Sequence, residues 1–354
     1  MKKKWIKPLV LTIVFALALL FFNIITKQSS EDMTTAMPQA TLPIMYFAQD
    51  GVQINEMHGY SGEMDATSVR ENITPIAGDR MVSLTMDSYG REITGLSYEI
   101  RSLDAARLVA NMDLTEQLTN KGNRYLVDFQ VQTLIEEHEE YLMIFHLLMG
   151  EEEVCYYSRI MRSDDYYAKE CLDFALEFHG YTFREDASEF IPTYIDPATG
   201  DTTTLSYVDL SCTLKQITWA KFDCEKITTV VPSYKEINSS YNVITLDYVV
   251  SHTTDTGEME YYNVEEYYRL RQTDSRMYVL NFERRMNQIF LRENTFLVDK
   301  SKILLGIRDM DVEYAANESG DIVTFVQEGD LWRFSQATND LTKVFSFRGE
   351  EGID

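Results

Sequence analysis

Tyr141–Met149 reads YLMIFHLLM and Val154–Met161 reads VCYYSRIM, with Gly150-Glu-Glu-Glu153 between them. The first run is apolar at every position but one, as a strand covered on both faces is. A glycine-led polar break of this length between two such runs reads as a β-hairpin. Upstream, Tyr125, Val127, Phe129 and Val131 alternate with Leu126, Asp128, Gln130 and Gln132. Val82, Leu84 and Met86 repeat the period of two, as do Leu96, Tyr98 and Ile100. Leu42–Phe47 and Val52–Met57 flank Gln49-Asp50-Gly51, an Asp-Gly hairpin turn. These runs predict an antiparallel sheet with one packed and one wet face.

Downstream of the hairpin the period changes. Tyr167, Cys171, Phe174, Ala175 and Phe178 recur at helical spacing and define one apolar stripe. Ser163 is placed to cap that helix, with Asp164 and Asp165 in its first turn. Gly180 is placed to stop it. A helix lying on antiparallel strands makes an α+β unit. Pro192 and Asp196-Pro197-Ala198-Thr199-Gly200 then punctuate the chain and predict a domain boundary. Beyond it strands return: Ile244, Leu246, Tyr248 and Val250, then Tyr261–Arg271, then Tyr278, Leu280 and Phe282. Thr254–Gly257 and Thr273–Ser275 join them into a tyrosine-rich meander.

The N-terminus has another character. Pro8–Ile25 (PLVLTIVFALALLFFNII) holds eighteen residues without a charge, near the ~20 that a hydrocarbon core requires. Lys2, Lys3, Lys4 and Lys7 precede it, and Glu31 and Asp32 follow. By the positive-inside rule this predicts an uncleaved single-pass anchor with a cytoplasmic N-terminus and the bulk of the chain outside the membrane. Gln28–Ala40 (QSSEDMTTAMPQA) reads as a short tether. The 354 residues carry 32 Lys+Arg against 57 Asp+Glu, a net charge of −25. Such a surface excludes nucleic acid as a partner and favours cationic or basic ones.

Near the end, Asp321–Gln327, Gly329–Ser335 and Leu341–Phe347 form three short strand runs joined by tight turns. With an aromatic in the second run and Thr342-Lys343 opening the third, they resemble one blade of a TolB-type β-propeller. The resemblance covers only the last ~40 residues. It implies an anchored propeller protein of the Gram-positive cell surface; no second copy of the unit occurs, so either further blades follow Asp354 or the blade-like hairpin packs on the preceding domain.

No residue of the sequence reads as catalytic, cofactor-binding or metal-ligating. Gly95-Leu-Ser97-Tyr-Glu99 lacks the second glycine of a nucleophile elbow. Glu136-Glu137-His138-Glu139-Glu140 offers a single histidine and reads as a solvated turn. His146 reads as a core histidine within an apolar strand; His58, His179 and His252 fall in turns or at the helix end. Asp309, Asp311 and Glu313 have calcium-loop spacing, but Tyr314 stands where the loop needs glycine. Cys155, Cys171, Cys212 and Cys224 form no CxxC pair, and buried thiols fit them as well as disulfides do.

The expected fold class is thus α+β and predominantly antiparallel β. The chain divides into a basic tail (1–7), an anchor (8–26), a linker (27–40), an α+β domain (41–190), a β-meander domain (191–305) and a blade-like segment (306–354). The expected function is binding of a protein or cell-wall partner at the envelope without cofactors. A hydrolase using a hidden carboxylate pair is the alternative, to be recognised by a cleft holding two acids, one with a raised pKa.

Overall fold

A computed structural model describes residues 34–36, 38–66, 69–132, 135–200, 204–220, 222–289, 314–327, 330–338 and 340–346, with 15, 291, 298–299 and 302–303. The chain opens with β1 (Thr34–Ala36), β2 (Ala40–Gln49), β3 (Val52–Tyr60), β4 (Ile73–Ile76), β5 (Met81–Asp87) and β6 (Gly95–Ser102). It continues through β7 (Leu108–Asp113), β8 (Thr119–Asn120), β9 (Arg124–Gln130), β10 (Glu140–Met149) and β11 (Glu152–Arg162). Helices α1 (Ala168–Thr182) and α2 (Ala187–Phe190) follow. Next come β12 (Tyr207–Asp209), a short α3 (Leu214–Ile217), β13 (Cys224–Lys226), β14 (Val231–Ile237), β15 (Asn242–Thr253), β16 (Met259–Gln272) and β17 (Met277–Gln288). The last strands are β18 (Val298–Asp299), β19 (Lys302–Ile303), β20 (Tyr314–Ala316), β21 (Ile322–Gln327), β22 (Asp330–Ser335) and β23 (Asp340–Ser346).

The fold is mostly antiparallel β. The first sheet runs β7-β6-β10-β11-β3-β2-β5-β9-β8, and β4 pairs in parallel with the end of β11. The doubly apolar β10 lies inside it between β6 and β11, as its composition requires. The second sheet runs β12-β17-β16-β15-β13, with β14 also on β15. A third sheet contains the blade-like strands in the order β1-β23-β22-β21-β20. Its outer strand β1 comes from Thr34–Ala36, a stretch the sequence presents as tether; Thr35 pairs with Leu341.

Two local expectations about the helix fail. Ser163 makes no capping bond; a 3-10 turn at Asp164–Tyr166 intervenes and Tyr167 adopts a left-handed backbone (φ 55°), so α1 begins at Ala168. Nor does Gly180 stop the helix, which runs on to Thr182. Burial of His179 and Thr182 extends the packed face by one turn. Four members of the stripe, Cys171, Phe174, Ala175 and Phe178, are buried, whereas Tyr167 lies before the helix, half-buried, and its hydroxyl donates to Asp274 at 2.7 Å.

The helix lies on the second sheet. Phe178 meets Tyr268 and Phe282 at 5.8 and 5.3 Å between ring centres. Phe174 packs on Phe190 and Tyr194, so aromatic contacts run through the expected boundary at 190–191. One hydrophobic cluster extends from Met45 to Met286. A buried asparagine stitches the sheets: Asn55, left-handed at φ 52°, donates to the Ile73 carbonyl (3.0 Å) and the Thr74 hydroxyl (2.7 Å). Its side-chain oxygen accepts from the Tyr234 amide at 2.8 Å. Strands β3, β4 and β14 are thereby held together.

All four cysteines are free thiols. Among the described residues no helix is long and apolar enough to cross a membrane. Of the predicted anchor 8–26 only Phe15 is described, helical and exposed; the rest lies outside the described residues, as do Asp309, Asp311 and Glu313.

Candidate functional site: an acidic groove where two sheets meet

Where β3, β4 and β14 converge they leave a cleft of about 230 Å³ lined by Glu56, His58, Glu71, Asn72, Val231, Ser233, Lys235 and Asp247. Alternation along β3 turns Glu56 and His58 to the same side. A bulge between Tyr234 and Glu236 takes Lys235 out of register with β15. This frees its carbonyl to accept from Arg159 Nη2 at 3.1 Å, while its ammonium donates to the Glu71 carbonyl at 2.9 Å. Asp247 sits on β15 between Val231 of β14 and Glu265 of β16.

Negative charge dominates this groove. Asp247 is open to the solvent of the cleft, but the strands crowding around it leave its charge poorly hydrated. That desolvation, with Glu265 and Glu56 adding to it and Lys235 opposing, raises its carboxyl to about 6. Glu56 is 3.5 Å from His58 Nε2 and hydrogen-bonds the Tyr46 hydroxyl. Asn72 is the rigid part of the wall: it is buried, and its side-chain oxygen accepts from the Ser158 hydroxyl at 2.6 Å.

None of these residues stood out in the sequence as a site. Asp247 interrupts Val243–Val250 on what reads as the wet face, and no pattern along the chain announces the carboxylates that join it from other strands. His58 lies within β3, not in a turn, and His252 within β15, where its Nδ1 donates to the Asp223 carbonyl at 2.7 Å. His138 is exposed as expected, 2.6 Å from Asp165 and stacked on Tyr166. His146 departs from its reading as a core residue: it lies on the outer face of the first sheet, 2.8 Å from Glu153.

A second polar cluster is closed instead of open. Glu266 is wholly buried; it accepts from Tyr248 (2.8 Å), Tyr268 (2.7 Å) and His179 Nδ1 (2.9 Å). Lys226 Nζ lies 3.0 Å from His179 Nε2. Arg284, also buried, lies 4.0 Å from Glu266, donates to the carbonyls of Gln216 and Ile217, and stacks over Trp219 at 3.8 Å. Burial works against the Glu266 charge, but His179, Arg284 and the Tyr268 hydroxyl outweigh it and hold the carboxyl at about 2. His179, which the sequence places only at the helix end, thus has partners at both ring nitrogens. This network ties α1, α3 and the second sheet together, and its groups are occupied by one another.

No family model matches the chain, and no curated protein matches it. Among solved structures, an engineered protein determined by crystallography aligns at 8% identity with a TM-score of 0.20. That alignment spans 27% of this chain and 19% of the other. A likeness so partial carries no argument about fold or function.

Proposed function

We propose that the protein is a membrane-tethered binding protein of the bacterial cell envelope whose acidic groove takes up a cationic group of its partner, a protein or wall component. The observation that carries this reading is the surplus of carboxylates in the groove. Glu56, Glu71 and Asp247 line it, its lysine already donates to a backbone carbonyl, and its histidine is beside Glu56. A lysine or arginine side chain entering there would offset the poor hydration of Asp247 and its repulsion by Glu265 and Glu56, which together raise it. The tether rests on the lysines before Pro8–Ile25, and the blade-like third sheet is compatible with a propeller-like outer portion.

The test is titration of the full chain with a short oligolysine peptide. A charge-assisted contact contributes ~1.5–3 kcal/mol, so Asp247→Asn should weaken binding by roughly tenfold or more. Wild-type affinity should fall likewise between pH 7.5 and pH 5 as Asp247 is protonated. Equal affinity in wild type and an Asp247→Asn/Glu56→Gln double variant would overturn the assignment. A hydrolase reading has one specific observation in its favour, a carboxyl at about 6 sharing a cleft with other acids. It requires cleavage of purified wall material that Asp247→Asn abolishes.

A further inference from the structure

We propose that His146, Glu153 and Cys155 form a site for a thiophilic divalent cation of the zinc type, on the outer face of the first sheet and apart from the groove. The hairpin β10–β11 builds it. His146 stands directly across from Cys155 in register, and Glu153, two residues earlier on β11, shares the same face. Gly150, left-handed at φ 66°, makes the turn that fixes this register.

The distances suit coordination. His146 Nδ1 is 2.8 Å from Glu153 Oε1 and 3.8 Å from Cys155 Sγ, and the three ligand atoms lie within 4.8 Å of one another. Zinc bonds of ~2.0 Å to nitrogen and oxygen and ~2.3 Å to sulfur separate tetrahedral neighbours by roughly 3.3–3.6 Å. Opening the His146–Glu153 edge by about half an ångström and drawing Cys155 Sγ toward the other two ligand atoms admits the ion. The ring nitrogen thus faces a carboxylate oxygen and a sulfur at once, a mixed donor set of the kind that zinc takes.

Charge and burial point the same way. A carboxylate and a thiolate neutralise a dication, so the loaded site is neutral, as a partly buried site must be. The charged groups acting on Cys155 are the carboxylates of Glu153 and Glu63. Cys155 is 2% exposed, beneath Ala66 and Val69 and beside Leu142 and Ile144. The Tyr157 hydroxyl, which accepts from the Met64 amide at 2.9 Å, hydrogen-bonds the sulfur and orients it. Three protein ligands leave a fourth position for water or an incoming donor. The other such cluster among the described residues, Glu137, His138 and Asp165, consists of exposed side chains and has Arg162 3.6 Å from Glu137, so a cation there would compete with one already present.

Cobalt(II) added to the full chain in detergent should give a thiolate-to-metal charge-transfer band in the near ultraviolet at one equivalent, displaced by zinc. Cys155→Ser should abolish the band. His146→Ala should weaken binding by more than the ~10–100-fold that loss of an outer-shell partner costs. Glu153→Gln keeps the shape and removes the charge, and it carries the test should Cys155→Ser fail to fold. Absence of the band in folded wild type, or its persistence in Cys155→Ser or Glu153→Gln at unchanged affinity, would overturn the proposal.

Discussion

Glu266 and Asp247 are neighbours across the same two strands, and their opposite environments give opposite responses to pH. Glu266 is held at about 2, below its ordinary 4.5. A depressed carboxyl stabilises the fold above its unfolded pKa, and that contribution is lost as pH falls through the folded value. Unfolding by urea should therefore become easier between pH 4.5 and 2, and Glu266→Gln should flatten that part of the profile. The variant should also cost ~3–5 kcal/mol at neutral pH, since Arg284 would be left buried against an uncharged group. Asp247 is raised from 3.8 to about 6, so its contribution is fully present below 3.8 and lost as pH rises through 6. Asp247→Asn should remove that loss and make the protein more stable at pH 7. An Asp247→Asn profile superimposable on wild type between pH 4 and 7 would show that the groove does not perturb this carboxyl. Sequence alone says only that both residues lie on strands; which one is closed in by a helix and which opens into a cleft is a matter of what packs above each face.

Among elements, α1 shows best what periodicity does and does not reveal. The stripe through Cys171, Phe174, Ala175 and Phe178 is legible because side chains three and four apart share one side of a helix. Phe174 is buried among Phe178, Phe190 and Tyr194. Phe174→Ala should cost about 3–5 kcal/mol in chemical denaturation. Asp173 faces solvent and pairs with Lys169 at 2.9 Å, an exposed contact of little worth, so Asp173→Ala should stay within about 0.5 kcal/mol. Equal costs at the two positions would mean that the stripe is misplaced. The helix ends depart from their sequence signals because those signals are local while the forces that fix the ends are not. Ser163 faces away from the cap, its hydroxyl buried without a partner, and Gly180 stays helical because His179 and Thr182 are held by Glu266 and Trp219. Elsewhere local chemistry sufficed: Asp50 and Gly51 both take positive φ (49° and 83°), the turn that an Asp-Gly hairpin demands.

At the scale of the whole molecule, one hydrophobic cluster runs through the first two sheets and α1. Residues 41–190 expressed alone would leave Phe178 without Tyr268 and Phe282, and Asn55 without the Tyr234 amide. That fragment should not unfold cooperatively on heating, whereas a chain ending after Gln288 should; a sharp transition in the shorter fragment would restore a boundary at 190–191. The pattern of residues by itself determined where strands and turns lie, which side of each is apolar, and that the chain is antiparallel, because a period of two and turn chemistry are properties of neighbours along the backbone. Tertiary structure alone decided which sheet receives α1, that Thr34–Ala36 completes the C-terminal sheet, and that an asparagine and an amide 179 positions apart join two sheets. It also decided that Asp247 meets Glu56, and that His146 meets Cys155. An alternating pattern states which face of a strand is covered but not by what, and a charged groove or a ligand cluster exists only once separate strands bring their side chains to one place.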